Sequence, residues 1–122
     1  MKGDNIAARL RAFAAGVLRI CRDLGGDSST KHIVRQLVRS ATGGGANYEE
    51  ARGAESRADF VHKLGIANKE IREALYWLQL ACDAGIANEE FGGLIQEADE
   101  LIAILTASIR TAKGRLEPQP AE

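Results

Sequence analysis

Apolar residues recur along the chain at spacings of three and four, in four stretches parted by three clusters of helix-breaking or helix-capping residues. No period-two alternation competes with them, so the pattern predicts helices and no strands. The first stretch carries Ile6, Leu10, Phe13, Val17, Ile20 or Cys21, and Leu24, with Asp4 as its expected cap and Gly25-Gly26 as its stop. The second opens in Asp27-Ser28-Ser29-Thr30, any of which can accept the orphan amide protons of a helix start, and runs through Ile33, Leu37, Ala41, Tyr48 and Ala51. Ser56-Arg57-Ala58-Asp59 reads as a capping box with a short acidic partner. It introduces the longest stripe, from Phe60 through Leu64, Ala67, Ile71 and Leu78 to Ala81 or Cys82, which Gly85 ends. Asn88 is the expected cap of the fourth, whose seam is Phe91, Leu94 or Ile95, Ala98, Leu101 or Ile102, Leu105, Ile109 and Ala112. Glu89 and Glu90 suit its positive end, and Arg110, Lys113 and Arg115 its negative one.

Helices over about 4–24, 30–53, 57–84 and 88–115, joined by short turns, predict an all-α, antiparallel up-down-up-down four-helix bundle spanning residues 1–116. The Glu-Pro-Gln-Pro-Ala-Glu tail at 117–122 cannot continue a helix and is expected to be disordered. One segment resists a simple reading. Each residue of Gly43-Gly44-Gly45 costs a helix about 1 kcal/mol relative to alanine, so the run either breaks the second helix or offers a smooth surface to a closely packed backbone. The residues alone leave both open. Beside the seams, Val34, Val38, Val61, Ile66, Leu80, Ile104 and Trp77 add more apolar surface than one bundle needs, which favours self-association.

Composition narrows the class. A chain of 122 residues, 45% hydrophobic and 27% charged, forms one domain that buries about two-thirds of its unfolded surface. No apolar run approaches the roughly 18 residues of a membrane span. Met1-Lys2-Gly3-Asp4 leads into an arginine-bearing segment unlike a signal peptide, which points to the cytoplasm. Cys21 and Cys82 stand far apart in apolar settings and read as reduced core residues, not zinc ligands. The net charge of −1 hides an asymmetry: residues 1–53 hold nine Lys/Arg against five Asp/Glu, and residues 54–122 hold seven against twelve. Such a division can orient subunits or present a basic face to an acidic partner.

Lys31, Arg35 and Arg39 recur every four residues as a ridge on the second helix, and Arg11 and Arg22, eleven apart, point in nearly the same direction on the first. These five are the candidate nucleic-acid-binding surface, through phosphate contacts. The plainer reading is a solvated face, or salt bridges between subunits to Glu97, Asp99 and Glu100 of the fourth helix. His62, three residues after Asp59, imitates a metal-binding step, but no second such step or inward carboxylate set accompanies it, and no metal or cofactor is expected. Glu49 and Glu50 diverge by about 100° and cannot converge on one atom as acid and base, so no catalytic residue is assigned. Arg39 pairing with Glu70 or Glu73 is the economical role for that residue. Tyr76 and Trp77 also diverge by about 100°; with Val61 they are the candidate oligomer interface, Trp77 as its anchor.

The stretch Gln36-Leu37-Val38-Arg39-Ser40-Ala41-Thr42-Gly43-Gly44-Gly45-Ala46-Asn47-Tyr48-Glu49-Glu50-Ala51, with Ser56 to Glu70 and Glu73-Ala74-Leu75-Tyr76-Trp77-Leu78, resembles the four-helix-bundle family encoded in intervening sequences of large-subunit (23S) ribosomal RNA genes. The resemblance implies a ring-like homopentamer without enzymatic activity, and a glycine segment lying inside a continuous second helix. One branch of that family is similar to the accessory variability determinant of diversity-generating retroelements, a strongly basic pentamer that associates with nucleic acid and a reverse transcriptase. This chain departs from that branch in its sequence pI of about 6.1. It departs again in Phe13-Ala14-Ala15-Gly16-Val17, where relatives often bury a tryptophan. The expectation is therefore a non-enzymatic homo-oligomeric scaffold whose chief partner is itself, with a nucleic-acid-binding accessory factor as the alternative.

Overall fold

The computed structural model describes residues 2–114; Arg115 and the tail at 117–122 lie outside them. Four helices follow in order, α1 Lys2–Arg22, α2 Ser28–Arg52, α3 Arg57–Asp83 and α4 Glu90–Gly114, with no strand among the described residues. None of these helices is long and apolar enough to cross a membrane.

The ends follow local chemistry. Asp27 caps α2 through its carboxylate, which accepts from the Thr30 N–H at 2.9 Å. Ser56 caps α3 by accepting from the Asp59 N–H at 3.0 Å. The return half of a capping box is displaced by one residue, since the short Asp59 side chain reaches the Glu55 N–H at 3.4 Å. At the other end of α3, Gly85 has φ +75°, its N–H donates to Cys82 O, and the Ile86 N–H donates to Ala81 O. That 6→1 and 5→2 pair is a Schellman stop, which favours glycine because of the left-handed backbone. Two expected boundaries shift. Asp4 lies within the first turn of α1, which begins at Lys2, and its carboxylate accepts from Arg52 of α2. Asn88 caps from slightly further out than expected, its side chain accepting from the Glu90 N–H at 3.0 Å, where α4 starts.

The backbone of each helix approaches closely the two adjacent to it and not its diagonal partner; the α2–α3 seam is the most extensive and α1–α4 the least. Leu10, Phe13 and Val17 of α1 meet Leu37 and Tyr48 of α2, Leu64, Ile71 and Leu78 of α3, and Phe91, Leu101 and Leu105 of α4 in one core. Burying each large side chain stabilises the fold by about 1.5–3 kcal/mol. The glycine run is helical throughout. A Cβ on Gly44 would lie 2.2 Å from Ile71 Cδ1 and one on Gly43 2.7 Å from Glu70 Oε2, whereas one on Gly45 would make ordinary contact with Leu10 Cβ at 3.6 Å. Glycine here is what lets α2 sit tightly against α3. Ser40, fully buried beside it, donates to Gln36 O at 2.9 Å.

The two cysteines part company. Cys21 is buried, and desolvation raises its thiol pKa. Cys82 is exposed, correcting the expectation of a core residue; Ala81 fills the core position of that turn, and Cys82 lies about 100° further round.

Candidate functional site

Between Asp4 and Asp23, α1 carries no carboxylate, and its Arg11, Arg19 and Arg22 are exposed. Arg11 borders a groove of about 220 Å³ between α1 and α2, whose walls include Ala7, Ala14, Thr42, Gly45 and Glu49. Lys31 and Arg35 stand on the same line of α2 as Thr42 and Glu49, and so continue that wall towards the helix start. Arg22 sits apart from Arg11. It lines a second cleft, of about 410 Å³, with Arg19, Asp23, Asn88 and Glu90. Among the described residues, none of Arg11, Arg19, Arg22, Lys31 and Arg35 makes an ion pair.

Arg39 leaves the ridge. A spacing of four drifts 40° per step, so two steps from Lys31 turn Arg39 towards α3. There its guanidinium donates to Glu70 at 3.2 Å and to Glu73, while Nε donates to Gln36 at 3.2 Å. Glu97, considered above as a partner for the ridge, is engaged inside the protomer by Arg9, with Nη2 at 2.6 Å and Nε at 3.1 Å. The Glu97 hydrogen bonds raise the Arg9 guanidinium pKa. Arg9 was not among the candidates, although its place beside the Leu10 and Phe13 stripe was a usable signal. Asp99 and Glu100 of α4 are exposed, with no ion pair among the described residues.

Val61, Tyr76 and Trp77 do not form one patch. Val61 lies about 22 Å along the α3 axis from Tyr76 at 1.5 Å per residue. Tyr76 is 55% exposed, whereas Trp77 packs against the core edge. The indole donates to Glu73 at 3.3 Å and stands edge-on to Tyr76 and to His32 of α2, with centroids 5.0 and 6.0 Å away. His32 thus has an aromatic partner that sequence spacing did not disclose.

The polar run after the glycines is tied down. Asn47 donates to Gly43 O at 2.8 Å, Glu49 accepts from Arg52 at 3.2 Å, and Glu50 lies 3.6 Å from Lys63. Burial raises the Tyr48 phenol pKa. The described residues contain no group of three or more His, Cys, Asp or Glu able to hold a metal.

These features describe a small four-helix protein whose surface chemistry lies in exposed cations on α1 and α2, carboxylates on α4 and partly covered apolar positions. The sequence profile of the 23S rRNA-intervening sequence protein family matches residues 5–107, and the chain belongs to that family. It is similar over 90% of its length, and over 99% of the other chain, to a protein of unknown function from the S23 ribosomal protein family of Bacteroides thetaiotaomicron VPI-5482, with a TM-score of 0.81 and 32% identity. No protein of curated function matches it.

Proposed function

We propose that the protein is a non-enzymatic scaffold of the cytoplasm that assembles with copies of itself, its up-down-up-down protomers closing into a ring of five. The antiparallel course is supported by pairings that run in opposite order, Glu50 with Lys63 and Arg39 with Glu70 and Glu73. The observation that carries self-assembly is apolar surface left over by the protomer. Leu18 and Tyr76 are 42% and 55% exposed, and Val61, Ile66, Leu80 and Ile104 are only half-buried. Covering such surface stabilises an assembly by about 25 cal/mol per Å². The number five rests on the family resemblance.

Light scattering at tens of micromolar tests this reading. The expected mass is about five times the 13.1 kDa of one chain. A folded, solitary chain sinks it.

The exposed and unpaired Arg11, Arg22, Lys31 and Arg35 support a second reading, an accessory factor for a reverse transcriptase that holds nucleic acid. Five copies at −1 each would carry about −5, so binding would depend on the local patch alone. A steep log-log fall of RNA affinity with salt would favour it; no binding at low salt removes it.

A further inference from the structure

Charge on the outer faces of this protein is segregated more sharply than the halves of the chain suggest. Residues 5–22 of α1 contain four arginines and no carboxylate, and residues 73–109 contain seven carboxylates and no lysine or arginine. Pairing inside the protomer does not use up this imbalance. Arg9 takes Glu97 and also interacts electrostatically with Glu100, and Arg39 takes Glu73, but Arg11, Arg19 and Arg22 on one side and Asp99 and Glu100 on the other form no close ion pair among the described residues.

The two sets also lie on helix faces of matching texture. On the outward face of α1, Arg11, Arg19 and Arg22 alternate with Ala8, Ala12 and Ala15, and Leu18 projects beside them. On the outward face of α4, Asp99 and Glu100 alternate with Gly92, Ala103 and Ala107, all exposed. Small residues let two helix axes approach closely, which brings flanking opposite charges within reach and shields them from water.

We propose that the basic outer face of α1, flanked by Lys31 and Arg35 of α2, is the docking surface for the acidic outer face of α4 of a second copy of this chain. The inference rests on the self-assembling reading and adds its geometry. Because the two faces occupy different parts of the protomer, the contact is head-to-tail, the kind that closes into a ring or continues as a filament. Leu18 supplies the apolar knob of the contact, and the arginines and carboxylates set its orientation. On this view the free cations of α1 await a carboxylate surface, and phosphates are not their natural partner.

Charge exchange tests it. Arg11→Glu with Arg22→Glu reverses one face, Asp99→Lys with Glu100→Lys the other, and a third chain carries all four substitutions. None of these residues makes an ion pair among the described residues, so each chain is expected to keep the helical circular dichroism of the parent. Sedimentation velocity on the parent gives the assembly. Each two-residue reversal is expected to weaken it at least tenfold, and the four-residue exchange to restore most of the loss. An undiminished assembly in either reversal overturns the proposal while leaving self-assembly standing; a monomeric parent removes both. Loss of binding to a 20-nucleotide single-stranded RNA in the α1 reversal, with its mass unchanged, also overturns it and assigns the face to nucleic acid.

Discussion

The α2–α3 seam and the α1–α4 seam are made of similar helices and differ in how closely they pack. Along α2–α3, Ala41, Gly44, Ala67 and Ala74 point inward, a glycine receives Ile71, and ion pairs fasten the rim at Arg39 and Lys63. Along α1–α4 the approach is looser: one forked Arg9–Glu97 pair and Leu94 lying against Gly16. These two helices also bury Ala7, Gly16, Ala98 and Ala112, but they keep Ala8, Ala12, Gly92, Ala103 and Ala107 exposed. The closely packed seam builds the protomer; helices that hold further small residues on their outer faces keep a surface fit for another copy.

Paired substitutions break or sharpen this contrast. The largest effect is expected from Gly44→Val, which forces Ile71, itself fully buried, out of its position. Overpacking there should destabilise the chain by about 2–3 kcal/mol in urea unfolding, outweighing the gain in helix propensity. Arg9→Ala comes next. Its partner Glu97 is only about a quarter exposed, so the loss should be near 1 kcal/mol, and Arg39→Ala, at a half-exposed pair, should cost under about 0.5 kcal/mol despite meeting two carboxylates. Smaller again is Gly16→Ala. Its new methyl would stand 3.0 Å from the end of the Leu94 side chain, which can turn aside; with the propensity gain, stability should stay within about 0.5 kcal/mol of the parent. Equal losses at Gly44 and Gly16 would erase the distinction between the seams.

A chemical probe separates the two thiols without changing the fold. Burial raises the Cys21 pKa, so at a given pH it holds less reactive thiolate than an exposed thiol, and it is also hard to reach. An aromatic disulfide reagent at pH 8 should label Cys82 at least tenfold faster than Cys21. Similar rates would mean that the end of α1 opens readily from the core.

Periodicity made the helices legible because every buried stripe obeys it: Leu10, Phe13 and Val17, or Leu64, Ile71 and Leu78, are spaced as one face of a helix and nothing else. The caps at Asp27 and Ser56 were legible for a similar local reason. What depends on the neighbouring helix was not. Gly44 could have broken α2, and only Ile71 arriving from α3 makes glycine necessary there. Arg39 kept the four-residue spacing of the ridge, yet the accumulated drift delivered it to Glu70 and Glu73. His32 met Trp77 from another helix, and Val61 shared α3 with Tyr76 and Trp77 without sharing their location. The candidate site was thus visible as a charge pattern, whereas its division into paired and unpaired members required tertiary structure.

Covalent trapping between copies tests most directly whether the outward faces of α1 and α4 meet. In a Cys21→Ala, Cys82→Ala chain carrying Ala15→Cys and Ala103→Cys, mild oxidation should yield a ladder of disulfide-linked oligomers on a non-reducing gel. A control with Ala15→Cys and Gln79→Cys, the latter on the outer face of α3, should remain largely single chains. Single chains from both, or ladders of equal strength from both, would contradict the account.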